Sequence, residues 1–308
     1  MRSRSTLARL QQFITLTLLL CATAWLLGHW RDSPLVAIGG FSAIIFGYAG
    51  FLAVEFFILG WVDTGDPTPK PAWSELARAW MHEVCAAPLV FCWRQPFRWN
   101  RIPDLLQPAA PLKGRRGAVF IHGFVCNRGF WTPWMRRMTT AGHAFAAVNL
   151  EPVFGSIDEY VSIVERAVQQ VTEATGLAPV LVCHSMGGLA ARAWLHARAG
   201  DARVHHVITI ATPHRGTWLG RFSHLRNGRQ MQLDSPWLAE LARHSPKPGG
   251  AGFTCWYSNC DNIVFPVATA TLPSADNRLL RGAAHVDLAF RPEVMQASLD
   301  LIMRDTPG

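Results

Sequence analysis

No C-x-x-C pair occurs among the seven cysteines, which are dispersed and include one, Cys21, inside an apolar run. That spacing indicates neither a zinc site nor a disulfide framework, and Cys255 and Cys260 read as free buried thiols. Charge is also scarce: 16% of the residues are charged while half are hydrophobic, which is lean for a soluble protein. The net charge of +8 comes from scattered arginines. With no basic helix and no aromatic–basic platform, nucleic acid is not expected as a partner. Solubility at an anionic membrane surface accounts for the charge. No internal repeat or low-complexity tract interrupts the 308 residues, enough for one large domain and an anchoring region.

Long hydrophobic runs, by contrast, are present. Residues 1–9 carry Arg2, Arg4 and Arg9 and no acid, and Leu10 to Gly28 is apolar over a length that suits a membrane span. After a polar break at His29 to Pro34, a second run from Leu35 to Val62 has one charge, Glu55, which receives no role here. Trp25, Trp30 and Trp61 lie near the ends of the runs, where indoles favour the headgroup zone. Two transmembrane helices are expected in 1–62, with the positive tail and everything after Val62 on the cytoplasmic side. Ala22-Thr23-Ala24 also offers a signal-peptide cut site; the second run would then stop transfer and leave the rest cytoplasmic. Bulky Leu20 argues against lipid attachment at Cys21.

Residues 63–116 read as a linker and an interfacial segment. Asp63 to Pro71 holds three prolines and should be short and stiff. Residues 73–99 mix Trp73, Trp80, Trp93 and Trp99 with Arg78, Arg94 and Arg98, as expected of an amphipathic helix. It would lie on the membrane surface or pack on the following domain. A loop with Pro103, Pro108 and Pro111 follows.

From Gly117 the pattern alternates strand and helix, the signature of a parallel sheet covered by helices. Expected strands are Ala118–Ile121, Ala144–Leu150, Val180–Cys183, Val204–Ile210, Phe253–Tyr257 and a short one near Arg278–Leu280. Ile157 to Val171 follows helical spacing closed by Gly176, and Met186–Ala199 and Pro292–Met303 are further helices.

The chemistry centres on Cys183-His184-Ser185-Met186-Gly187-Gly188. An apolar strand breaks into a serine at a sharp turn before a helix, which strains the serine and lifts its hydroxyl above the sheet. The positions two before and two after must be small; Gly187 meets this, while Cys183 stands where glycine is usual. Ser185 needs a base, and reactive groups in open parallel sheets gather beyond the carboxyl ends of the strands. Asp261 and His285 both follow strands, in the order serine, acid, histidine. His285 would take the Ser185 proton and Asp261 would orient His285 and stabilise its cation. Asp276 and Asp287 are rival acids and His244 a rival base. The oxyanion needs amide donors, assigned to Met186, after the nucleophile, and Phe124, in His122-Gly123-Phe124. His122 would hydrogen-bond within that loop. Thr212-Pro213-His214-Arg215-Gly216 should rim the cleft, with 217–252 as a cap. Phe130, Trp131, Trp134 and His214 are the expected substrate contacts, and Cys126 and Cys183 are packing residues.

Ile121-His122-Gly123-Phe124, Cys183 to Gly188, Ala211 to Gly216, Asp261 and His285 together resemble the α/β-hydrolase superfamily, more narrowly bacterial triacylglycerol lipases and related esterases. The resemblance covers Gly117 to Met303 and implies Ser185, Asp261 and His285 as the triad and the Phe124 and Met186 amides as the oxyanion hole. The fold expected is α/β, a mostly parallel sheet flanked by helices in 117–308, preceded by two transmembrane helices. The function expected is a membrane-anchored ester hydrolase at the bacterial inner membrane, without metal or organic cofactor. It would act on a lipid or other apolar ester. Acyl transfer on the same fold and a catalytically silent membrane scaffold are the alternatives.

Overall fold

The computed structural model describes residues 5–62, 65–107, 112–198, 203–243 and 252–304. Arg2, Arg4, Asp63, Pro108, Pro111, Ala199 and His244, and the 244–251 part of the expected cap, lie outside the described residues.

Two long helices come first, α1 (Thr6–His29) and α2 (Pro34–Trp61), packed as an antiparallel pair. Each starts on a serine cap, with Ser5 Oγ accepting from Ala8 N and Ser33 Oγ from Val36 N. Both are long and apolar enough to cross a membrane, a property that a span and a signal sequence share. Their large apolar side chains are mostly exposed, Leu20 and Leu27 at 70% and Leu35 at 82%. Helix α3 (Trp73–Ala87) runs into a π-helical turn, Pro88–Arg94, and the short α4 (Gln95–Phe97). Leu76, Ala79 and Glu83 of α3 are buried, and their neighbours include Cys260 and Ala284. The amphipathic segment therefore packs against the sheet domain.

The sheet has six parallel strands in the order β2-β1-β3-β4-β5-β6. They are β1 (Ala118–Ile121), β2 (Phe145–Ala147), β3 (Val180–His184), β4 (His206–Ile210), β5 (Gly252–Tyr257) and β6 (Asp276–Leu279). The central β1 and β3 are buried at every residue, which is why they read as unbroken apolar runs rather than alternating ones. Strand β2 is shorter than its apolar run implies. Its outer edge is partly closed by a bridge to Leu105, with amide–carbonyl bonds of 3.0 and 3.3 Å to Phe145, so an unpaired edge is avoided there.

Helices α5 (Thr132–Ala141), α6 (Val161–Thr175), α7 (Met186–Ala197) and α10 (Pro292–Arg304) join the sheet, with two short helices, α8 (Arg226–Gln230) and α9 (Pro236–Arg243), inside the 217–252 segment. Gly176, at φ 76°, closes α6 in the left-handed conformation that favours glycine. The first turn of that helical pattern, Ile157–Tyr160, is instead a separate 3-10 turn, because Ser156 and Glu159 form a capping box there. The chain winds from β1 outward to β2, then crosses back to place β3 on the other side of β1. This reversal leaves a crevice beyond the carboxyl ends of β1 and β3.

Phe130, Trp131 and Trp134 are fully buried in one core cluster with Phe120, Met135, Phe145 and Ala289. Trp134 Nε1–H donates to the Ala289 carbonyl at 2.9 Å. Trp134→Ala should destabilise the protein by about 3–5 kcal/mol, read as a lowered denaturant midpoint; an unchanged midpoint would contradict this packing role.

Candidate active site

Ser185 is the single residue between β3 and α7, at φ 54° and ψ −127°. A non-glycine residue held there stores roughly 1–3 kcal/mol of backbone strain, which the surroundings must impose. They do so by close approach. A Cβ on Gly187 would sit 2.3 Å from the Ile121 carbonyl oxygen and 2.7 Å from that of His122. A Cβ on Gly123 would meet Ser185 Cβ at 2.7 Å. The β1 loop and the start of α7 thus press on the serine from two sides. Cys183, in register with Ile121 and Thr209, is accommodated as a fully buried strand residue. Burial raises its thiol pKa strongly and pushes that of Cys126 up to about 12, so neither is a thiolate at neutral pH. All seven cysteines are free, Cys255 and Cys260 both buried.

Asp261 follows β5. Its Oδ1 accepts the amides of Ile263 at 3.0 Å and Val264 at 2.8 Å. His285 follows β6 and places Nδ1 2.9 Å from Asp261 Oδ1 and 3.1 Å from Oδ2. Both residues are buried, at 2% and 5% exposure. A carboxylate there fixes the tautomer with Nδ1–H donating, which leaves Nε2 free to accept a proton. Burial would lower the His285 pKa, but the charge and hydrogen bond of Asp261, with the charges of Glu83 and Glu55, carry it above the ordinary value.

The loop is tied to the elbow by His184, whose Nε2–H donates to the His285 carbonyl at 3.0 Å. Burial, then the nearby His285 charge, holds the His184 pKa well below its ordinary value, so this ring is a neutral strut. His122 bonds within its own loop through Nδ1–H to the Gly123 carbonyl, and across to the segment after β2 through Nε2, which accepts from Leu150 N. Of the rival acids, Asp276 pairs with Arg278 and Asp287 with Arg291 and His82.

Met186 opens α7, so its N–H belongs to the unshared amides of a helix's first turn, where anions are favoured. Phe124 directly follows Gly123, and its ring lies edge-on to Phe154 at 5.9 Å. The expected substrate contacts are corrected by the structure. Phe130, Trp131 and Trp134 have no exposed surface; Phe130 stacks on His184 at 4.5 Å, supporting the elbow from inside the core. His214 is likewise interior, its Nε2 3.1 Å from Thr209 Oγ1 and burial holding its pKa well below the usual value. Aromatic and proline-flanked residues near a site resemble a pocket lining in sequence, but here their bulk fills the core.

Residues that sequence reasoning missed come from elsewhere. Phe154, with Leu7 and Leu10 of α1 and with Pro152 and Val153, lines a cavity of about 470 Å³. Gln95 of α4 braces the loop after β1, accepting the Asn127 amide at 2.7 Å. Asn262 Oδ1 accepts the His285 amide at 3.2 Å. Glu55, conspicuous as the only charge of its run, was the one available signal for this layer: its Oε2 accepts from Asn262 Nδ2 at 2.6 Å.

A family model described as the alpha/beta hydrolase family matches residues 118–302, more than half of the chain. The chain belongs to that family. Solved structures of similar fold include the mature form of the Bacillus licheniformis lipase BlEst2, with a TM-score of 0.57 at 16% identity over 64% of this chain and 96% of that one. Aspergillus fumigatus lipase B has a TM-score of 0.54 at 17% identity, covering 65% of this chain and 56% of its own length. At such identities the likeness is one of fold. No curated protein matches the sequence significantly.

The close approach at the elbow sets its own test. Gly187→Ala forces the helix start away from two backbone oxygens, and a displacement near 1 Å at a reactive group costs on the order of 10²-fold in rate. Covalent labelling of Ser185 should slow accordingly; labelling at the wild-type rate would show that the elbow does not need the small residue.

Proposed function

We propose that this alpha/beta hydrolase is a serine esterase of the lipase kind, held at a membrane by α1 and α2. The observation that carries the reading is the buried Asp261–His285 pair beyond the same sheet edge as the strained Ser185. Ser185 Oγ attacks the acyl carbonyl carbon and gives its proton to His285 Nε2. The carbonyl oxygen takes up negative charge facing the Met186 and Phe124 amides. Collapse breaks the bond to the alcohol oxygen, which leaves with the proton from His285. Water then repeats the sequence on the acyl-enzyme, releasing the acid and restoring Ser185.

The cavity beside Phe154 suits the acyl group. Its exposed lining is mainly apolar, with Glu151, Glu159 and Arg226 at its rim, and the ring of Phe154 lies edge-on to that of Phe124 at 5.9 Å. Its floor is α1, whose apolar face continues outward through exposed Phe13 and Ile14, a route by which a lipid-like ester could arrive. Retention of the first helix is favoured by its bonds to the hydrolase part, Thr6 N–H to Glu151 at 2.7 Å and Gln11 to the Val125 carbonyl. The amino end of α1 and the carboxyl end of α2 both meet that part, so a positive cytoplasmic tail would set the catalytic centre on the cytoplasmic face. A cytoplasmically active reporter fused at Gly308 supports this, and a periplasmically active one overturns it.

Fluorophosphonate labelling mapped by mass spectrometry tests the chemistry. Label is expected on Ser185, abolished by Ser185→Ala and strongly reduced by His285→Ala; no label on demonstrably folded protein would favour the silent scaffold. Because the base must be neutral and its pKa is raised, activity should fall as pH decreases, with the acid limb above the 6.5 of an ordinary imidazole. Leu10→Glu should lower kcat/KM for long-chain esters roughly tenfold and spare short ones. Equal loss on both would remove the cavity from the substrate path.

A further inference from the structure

The helices that precede β1 reach the catalytic loops directly. Glu83 of α3 is 2% exposed. Its Oε1 accepts the Val286 amide and its Oε2 the Asp287 amide, each at 3.0 Å. These are the two amides that follow His285. The His285 amide itself is held by Asn262, which Glu55 of α2 holds in turn, and the His285 carbonyl is held by His184. Three successive N–H groups and one carbonyl around the histidine are therefore all taken, two of them by a single carboxylate.

A buried carboxylate is a costly way to satisfy two amides, because its charge loses hydration. Burial raises the Glu83 pKa to about 7 despite the two amides and the favourable charge of His285. The basic groups nearby do not neutralise it: Arg291 and His82 both face Asp287, at 2.7 and 3.8 Å. What the carboxylate offers beyond two acceptors is negative charge beside the imidazole, and it is one of the groups that raise the His285 pKa, after Asp261 and ahead of Glu55.

We propose that Glu83 is a positioning residue of the catalytic centre, clamping the His285 loop through two amides and adding a second counter-charge for the imidazolium. The inference rests on the Ser185–His285–Asp261 reading. It makes the segment before β1 part of the enzyme, beyond any service as an anchor. Groups facing His285 are Asp261, Glu83, Glu55 and the neutral His184 ring; those facing Glu83 are His285 and Asp287.

The test uses the detergent-solubilised full chain, a short-chain nitrophenyl ester and titration of reactive Ser185 by fluorophosphonate. Glu83→Gln keeps the size but turns an N–H donor toward an amide donor and removes the charge. Its kcat per reactive serine should fall on the order of tenfold to a hundredfold, with KM within about twofold and the acid limb moved to lower pH. Glu83 binds an extra proton in the folded state between pH 4.5 and about 7, so its contribution to stability is full below that window and lost as pH rises through it. Glu83→Gln should flatten this slope. Glu83→Asp keeps the charge and should keep the wild-type acid limb even where kcat falls, which decides the matter should Glu83→Gln not fold. Wild-type kcat and acid limb in Glu83→Gln, or an acid limb in Glu83→Asp displaced to lower pH, overturns the proposal. Wild-type protein that carries no label on Ser185 overturns the catalytic reading itself, and this inference with it.

Discussion

The distance between the start of α7 and the end of β1 governs the rest of the site. With Gly187 packed on the Ile121 and His122 carbonyls, the chain has no room to leave β3 by a relaxed turn, and Ser185 takes a strained conformation. The same contact brings the β1 loop, with Gly123 against Ser185, next to the first amides of a helix. One packing constraint thus holds Ser185 between the loop after β1 and the first turn of α7. It works only because β1 and β3 are adjacent, which follows from the reversal of winding at that point in the sheet.

The histidine side of the site obeys a different logic. A loop after an edge strand, β6, has no sheet neighbour on its outer side, and its backbone groups would be free to wander or to bind water. Here they are taken up by side chains from four parts of the chain: His184 at the elbow, Asn262 in the acid loop, Glu83 in α3, and Glu55 of α2 acting through Asn262. Fixing backbone amides positions an imidazole more firmly than packing its ring, since χ1 and χ2 then start from a fixed Cα. The surrounding charge is weighted toward carboxylates, and that is why His285 has a raised pKa although it is buried.

Much of this was legible in the sequence where the physics is local. The apolar runs at Ala118 and Val180, the serine between strand and helix, and the glycine closing α6 each carry their own signal within a few residues. Asp261 and His285 were legible because residues after parallel strands converge on one edge. The aromatic cluster was misread because burial is a tertiary property: Phe130, Trp131 and Trp134 look the same in sequence whether they line a pocket or fill a core. Glu83 was invisible for the same reason, as one of two acids, with Glu75, on an amphipathic helix whose packed face could not be assigned.

Glu55 shows how far such a signal can be taken. A lone carboxylate in an apolar run is unfavourable wherever the run lies, so some partner had to exist. The partner, Asn262, adjoins Asp261 and also holds the His285 amide. If α2 spans a bilayer, the hydrolase part must rest against the membrane face to make that bond. Bilayer depth and active-site geometry would then be linked through one side chain. A helix that shifted along the membrane normal would then pull, through Asn262, on the loop that carries Asp261.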